Sequence, residues 1–165
     1  LETGRRNIIG IFKADDSQGA QRHKGYVQAL QESGIPYDPE NVIWFHTEDR
    51  KTKPSLMLSM LLDSKKSVDA AVCYNDQIAL AVISMLEEKG ISVPEDLSVT
   101  GFDDNIYARL SRPMLTTVRQ KPEEKGKEAV GLLMRRIYGE EVPVGRMRLP
   151  TELIVRESVR NLADR

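Results

Sequence analysis

Four short apolar runs, each ended by polar residues and three of them followed by a helical pattern, constrain this chain more than any other feature. Ile8-Ile9-Gly10-Ile11-Phe12 is too brief for a helix and rich in β-branched side chains, which suit a pleated, buried strand. From Gln18 to Ser33 the apolar residues Tyr26, Val27 and Leu30 recur at helical spacing, and Gly34 with Pro36 closes the segment. Val42 to Phe45 reads as a second strand, and Pro54 opens a helix through Leu56, Met57, Met60 and Leu61. Ala70 to Tyr74 is a third, followed by Asn75-Asp76 as a cap and an apolar helix from Gln77 to Lys89 that stops at Gly90. Leu97 to Phe102 is a fourth, ending in Asp103-Asp104-Asn105. Strands separated by helices pair in parallel through right-handed crossovers, with helices on both faces. The expected fold is therefore α/β, a doubly wound parallel sheet. After Pro113 the alternation loosens: Leu115 to Val118 is a strand or connector, Pro122 to Tyr138 an amphipathic helix, and Met147 to Val155 a late strand.

Composition narrows the function. A chain of 165 residues, 40% of them apolar, can bury about two-thirds of its surface, enough for one globular domain. Lysine and arginine total 24 against 25 acidic residues, so no broad field of either sign draws in nucleic acid or an anionic membrane. The longest mainly apolar stretch, Ile78 to Leu86, is far shorter than the roughly 20 residues of a bilayer span. The single cysteine, Cys73, forbids an intrachain disulfide and is compatible with a reducing cytosol. The first residue is Leu1 and no charged-then-apolar leader follows, so the chain is expected to be part of something longer.

In open parallel sheets ligands gather beyond the carboxyl ends of the strands, where loops converge and helix N-termini present free N–H groups. The residues there are Lys13, Asp15 and Asp16 after the first strand, Phe45, His46 and Glu48 after the second, Asn75 and Asp76 after the third, and Asp103 with Asp104 after the fourth. Carboxylates and amides take two hydroxyls of a polyol at once, arginine donates to ring oxygens, and an aromatic face covers the apolar side of a sugar. A neutral polyhydroxylated ligand suits this set. Each feature also has a plainer reading: Asp76 and Asp104 as helix caps, Arg22 as a solvated helix residue, Met57, Met60 and Met85 as core filler, and Cys73 as inert packing. His23 and His46 lack ligand spacing, so no metal is expected. The pair Asp15-Asp16 is also compatible with a magnesium-dependent phosphoryl-transfer domain, although the rest of that pattern is only partly present. No phosphate-binding glycine loop, nucleophile elbow, HExxH or paired CxxC occurs, so neither catalysis nor a cofactor has positive support.

Asn75 to Leu80, Val93-Pro94-Glu95-Asp96-Leu97-Ser98-Val99-Thr100-Gly101-Phe102-Asp103-Asp104 and Leu115-Thr116-Thr117-Val118-Arg119-Gln120 occur in that order, and with them the chain closely resembles the effector domain of the LacI/GalR repressors. Arg22-His23-Lys24-Gly25-Tyr26 adds the arginine, glycine and aromatic element of that family's first helix in the C-terminal subdomain. The segment from Ile11 to Gly19 is most similar to the arabinose repressors of Gram-positive bacteria, which join this fold to a GntR-type winged helix.

The resemblance implies a C-terminal subdomain of a periplasmic-binding-protein-like fold at residues 1–118, a crossover and helix of the other lobe at 119–140, and a return strand and tail at 141–165, with the DNA-binding head and most of the N-terminal lobe outside the chain. The helix from Pro122 to Tyr138 should then find little support. The resemblance places Arg22, Asn75 and Asp103 at effector contacts, Gln120 at a hinge contact and Phe45 at a ring that stacks on the ligand; Asp16 stands where many relatives carry a basic or polar contact, which suits a neutral sugar. Lys13 and Asp15 are candidates from their place at the end of the first strand. The expected function is that of a cytoplasmic, non-enzymatic repressor domain with a small sugar inducer, L-arabinose being the candidate, and with operator DNA reached only through the missing head. A periplasmic sugar receptor of the same fold is the alternative within binding proteins. Dimerisation is expected through the helix from Gln77 to Lys89, at Ile78, Ala79, Val82, Ile83 and Leu86, and through the segment around Asn105 to Ser111, because the apolar surface of that helix wraps beyond the stripe that sheet packing needs; the plainer reading is a helix buried by neighbouring helices of the same chain, and in the dimer reading Val82→Glu or Ile83→Glu would give a folded monomer.

Overall fold

The computed structural model of the protein describes residues 3–64, 66–142, 145 and 147–162. Strand β1 (Ile8–Lys13) leads into helix α1 (Ser17–Glu32), β2 (Val42–Phe45) into α2 (Lys53–Asp63), β3 (Ala70–Cys73) into α3 (Asp76–Glu88), and β4 (Ser98–Asp103) into the short α4 (Ile106–Leu110). β5 (Thr116–Arg119), α5 (Pro122–Ile137) and β6 (Glu152–Ile154) complete the order. The strands form one sheet in the order β2-β1-β3-β4-β5-β6; β1 to β5 are parallel and β6 is antiparallel to β5.

Alternation along β1 divides the interior. Ile9 and Ile11 face one side, where they meet Ile43, Phe45, Leu58 of α2 and the inner stripe of α3; Ile8 and Phe12 face the other, against Tyr26 and Leu30 of α1. Tyr26 is satisfied there by donating its hydroxyl to the Ile8 carbonyl at 2.8 Å. Cys73 lies within the first of these cores, where burial pushes its thiol pKa up.

The structure corrects two expectations and adds one element. Ile78, Ala79, Val82, Ile83 and Leu86 are buried inside the chain, not presented to a partner. The sheet covers one side of their wide apolar face, and α2, Ile91, Val93 and Ala108 of α4 close the flanks. Helix α4 was not legible as a helix; Asn105 starts it by accepting from the amides of Tyr107 at 2.9 Å and Ala108 at 3.2 Å, and its Ile106, Tyr107 and Leu110 stand exposed. The late strand shrinks from Met147–Val155 to Glu152–Ile154, an edge strand preceded by Pro150, which has no N–H for a ladder. Residues 143, 144, 146 and 163–165 of the expected return segment lie outside the described residues. Helix α5 buries none of its residues, and Val130, Leu133 and Ile137 line an exposed apolar stripe.

Two glutamates separate core from surface. Val82→Glu places a carboxylate at a position with 0% exposure and should abolish the cooperative thermal transition, since an unpaired buried charge costs several kcal/mol. Leu110→Glu, at 67% exposure, should shift stability by no more than about 0.5 kcal/mol. A cooperative, parent-like melt for Val82→Glu would contradict this packing.

Candidate ligand-binding site

β1 lies between β2 and β3, so the chain leaves it for one neighbour through α1 and reaches the other through α2. The loops part at that point of reversal, which is where open parallel sheets hold ligands. An open hollow of about 270 Å³ lies there. Lys13, Thr47, Arg50, Tyr74, Asn75 and Gln77 line it, with Phe45 at its floor. A hollow of about 310 Å³ at the far end of α3, between Glu87, Val93, Glu95 and Arg112, is remote from this edge and gathers none of the groups described next.

A continuous polar chain runs along the carboxyl edge beside the hollow. The Arg22 guanidinium is held between two rings, 3.8 Å from the centroid of Phe102 and 4.4 Å from that of Tyr74, and it donates to the Tyr74 carbonyl. It also faces Asp103 Oδ1 at 3.9 Å. Burial draws the Arg22 pKa down and Asp103 opposes it, so the guanidinium stays charged where it is largely desolvated. Asp103 Oδ1 accepts from Gln120 Nε2 at 2.7 Å, and Gln120 Oε1 accepts from Lys125 at the start of α5. Asn75 caps α3 by accepting from the Ile78 amide at 3.0 Å, and its Nδ2 makes no hydrogen bond among the described residues. Arg22, Asn75, Asp103 and Gln120 therefore lie along one edge of the sheet.

The other four predicted residues are placed differently. Phe45 is an inward residue of β2 at 1% exposure, which leaves no open face for stacking; Tyr74, edge-on to it with centroids 5.7 Å apart, is the ring at the surface of the hollow. Asp15 is committed to Thr47, accepting from its hydroxyl at 2.6 Å and its amide at 3.1 Å, and the hydroxyl bond leads in holding its pKa down at about 2. Asp16 is the N-cap of α1, taking the Gly19 amide at 2.7 Å on one oxygen and the Tyr74 hydroxyl at 2.7 Å on the other. Gly19 is required beside it, because a Cβ there would stand 1.8 Å from the Lys13 carbonyl oxygen. Lys13 is paired with Asp16 at 3.2 Å and Asp15 at 3.7 Å, so its charge is locally neutralised. Sequence reasoning did not single out Tyr74, Phe102, Thr47 or Arg50. Tyr74 was within reach, since it directly precedes Asn75 at the end of a strand.

A second set of carboxylates anchors the edge from below. Asp76, with 0% exposure, accepts from the Thr117 hydroxyl at 2.5 Å and the Asn105 amide at 2.8 Å. Burial is the main cause that raises its pKa. A Cβ at Gly101 would sit 2.4 Å from Asp76 Oδ1, so the carboxylate dictates that glycine. Burial would also raise the pKa of Asp104, but hydrogen bonds from Arg156, Arg119 and Arg109 outweigh it and hold the value at about 2.

A model described as periplasmic binding protein-like domain matches residues 1–159. The chain belongs to that family. Its fold is that of the effector-binding domains of LacI-type regulators. It superimposes on the transcriptional regulator CelR in complex with cellobiose with a TM-score of 0.86, at 37% identity, over 95% of this chain and 48% of that one. The arabinose metabolism transcriptional repressor of Geobacillus stearothermophilus is 35% identical over 165 residues, 98% of this chain and 45% of the relative. The transcriptional repressor CytR of Escherichia coli K12 is 37% identical over 141 residues, 86% of this chain and 41% of the relative. The chain thus spans less than half the length of these curated relatives. They are named as transcriptional regulators.

The cap at Asp16 is separable from any contact with a ligand. Asp16→Ala should lower the unfolding free energy by about 1 kcal/mol, and Asp16→Ser should restore much of it, because serine caps nearly as well. Urea midpoints measure both; equal midpoints for the parent and Asp16→Ala would remove the capping role.

Proposed function

We propose that this chain is the inducer-sensing part of a cytoplasmic transcriptional repressor, without enzymatic activity, and that its inducer is a neutral sugar, with L-arabinose as the leading candidate. One observation carries the reading: Arg22, fixed between two rings, faces the Asp103 carboxylate, whose Oδ1 is also held by Gln120. A fixed guanidinium beside a carboxylate with an uncommitted oxygen donates to and accepts from neighbouring hydroxyls at once, which is the recognition a polyol needs. Lys13 is flanked by two acids and Arg50 donates to the Thr47 carbonyl at 2.6 Å, so both cations of the hollow are already engaged. Two relatives named as arabinose metabolism repressors and a neighbour solved with cellobiose support a sugar of this kind. The magnesium-dependent alternative loses its basis, because Asp15 and Asp16 are committed to Thr47 and to the α1 cap.

The site sits on one lobe only. In this reading a second lobe covers the exposed stripe of α5 and closes over the sugar, shifting the population between open and closed forms and re-aiming a DNA-binding head outside this chain. A second copy covers Ile106, Tyr107 and Leu110 of α4, within the Asn105–Ser111 segment that the sequence also suggested, without the buried α3 residues.

Calorimetric titration of the complete gene product carrying this chain tests the reading against L-arabinose, D-xylose, D-galactose, cellobiose and arabinose 5-phosphate. A neutral sugar should bind, and the phosphorylated one should not. Arg22→Ala and Asp103→Ala should each weaken binding by about thirty- to several hundred-fold, the loss of a charged hydrogen-bond partner. Sedimentation should show a dimer that Leu110→Glu makes monomeric. Binding unchanged in both cleft variants would refute the assigned site.

A further inference from the structure

Asp103 and Asp104 are consecutive residues with positive φ, 119° and 52°, at the end of β4. Neither is glycine, and side chains there crowd the backbone, so this corner persists only where its surroundings enforce it. The enforcing contacts converge on Asp104, whose side chain is 1% exposed. Its Oδ1 takes Arg156 Nη2 at 2.5 Å, and its Oδ2 takes Arg119 Nε at 2.6 Å and Arg109 Nη2 at 3.1 Å. The three arginines come from three places: α4, the end of β5, and the segment after β6. Arg119 continues to Glu152 of β6 at 3.3 Å, and Arg156 also donates to the Leu115 carbonyl at 2.8 Å.

The two acidic residues thus make two rungs to the end of β5, Asp104 to Arg119 and Asp103 to Gln120. One rung is buried at the carboxylate and clamped three times; the other lies beside Arg22, with one oxygen uncommitted among the described residues. We propose that Asp104 is a positioning residue: without touching the ligand, it holds the backbone corner that aims Asp103 at the site, and it ties that aim to Arg119, where the chain leaves this sheet for α5, and to Arg156, just after the β6 by which it returns. A shift of the Asp103 backbone toward a ligand turns the corner it shares with Asp104. The clamp either resists that turn, which keeps the site preorganised, or passes it to Arg119 and Arg156. The ligand half of this proposal rests on the sugar-sensing reading above.

Asp104→Asn in the complete gene product tests it, with two readouts. In the ligand-free protein, amide hydrogen exchange of the segment 102–108 should rise about tenfold, while peptides from β1 and β3 keep their protection. Exchange that is unchanged at 102–108, or raised equally across the sheet, overturns the positioning role whatever the ligand. With the best sugar, Asp104→Asn should weaken binding about tenfold in the parent and less than about twofold in the Asp103→Asn background, because a residue that acts through Asp103 has nothing left to position. Equal losses in both backgrounds overturn the coupling. If Asp104→Asn fails to fold, Arg109→Gln removes the most exposed of the three arms, and about threefold effects of the same pattern are expected. A parent that binds no sugar, with the exchange change present, overturns the sugar reading and leaves the clamp supported.

Discussion

Parallel pairing is the constraint on which the rest depends. Because β1 to β5 all run the same way, their carboxyl ends share one edge, and residues as distant in sequence as Lys13, Asn75, Asp103 and Gln120 come together there without any local motif. The opposite edge receives the helix C-termini and carries the turns at Gly34 and Gly90, both with positive φ. Sheet order adds the second half of the constraint. β1 has neighbours on both sides, so the crevice opens beside Lys13 and Tyr74 instead of at an edge strand.

Buried carboxylates convert that arrangement into a stiff edge. Asp76 joins the N-terminus of α3 to β5 and to the start of α4, and Asp104 joins the end of β4 to three arginines. Removing one partner of such a group leaves an uncompensated charge, which is far more costly than the net gain from making the pair. These aspartates therefore fix geometry more than they add stability. Two of the ligand candidates sit one residue away from them, Asn75 beside Asp76 and Asp103 beside Asp104. Both are thus braced through their own backbone, a route that does not occupy their side chains.

Run length and breakers made the βα alternation readable, because Ile8 to Phe12, Val42 to Phe45, Ala70 to Tyr74 and Leu97 to Phe102 are each too short for a helix and lie between clear turn residues. A helix of five residues leaves no periodicity to detect, so α4 was invisible. The apolar breadth of α3 was legible but its cover was not: a pattern states that a face is apolar, and only the tertiary arrangement shows that α2 and α4 close on it. At the site, position after a strand located Arg22's partner Asp103, together with Asn75 and Lys13, but could not separate Asp16 the helix cap from Asp16 the ligand contact. The clamp was beyond reach for the same reason, since Arg156 lies 52 residues from Asp104 and its charge alone reads as surface.

A crystal structure of the complete gene product, grown with the neutral sugar that stabilises it most, tests the central claim directly. The account predicts a sugar seated at the carboxyl edge, with hydroxyls within about 3.2 Å of both the Asp103 carboxylate and the Arg22 guanidinium. A sugar bound away from that edge, or one in contact with neither residue, would contradict it.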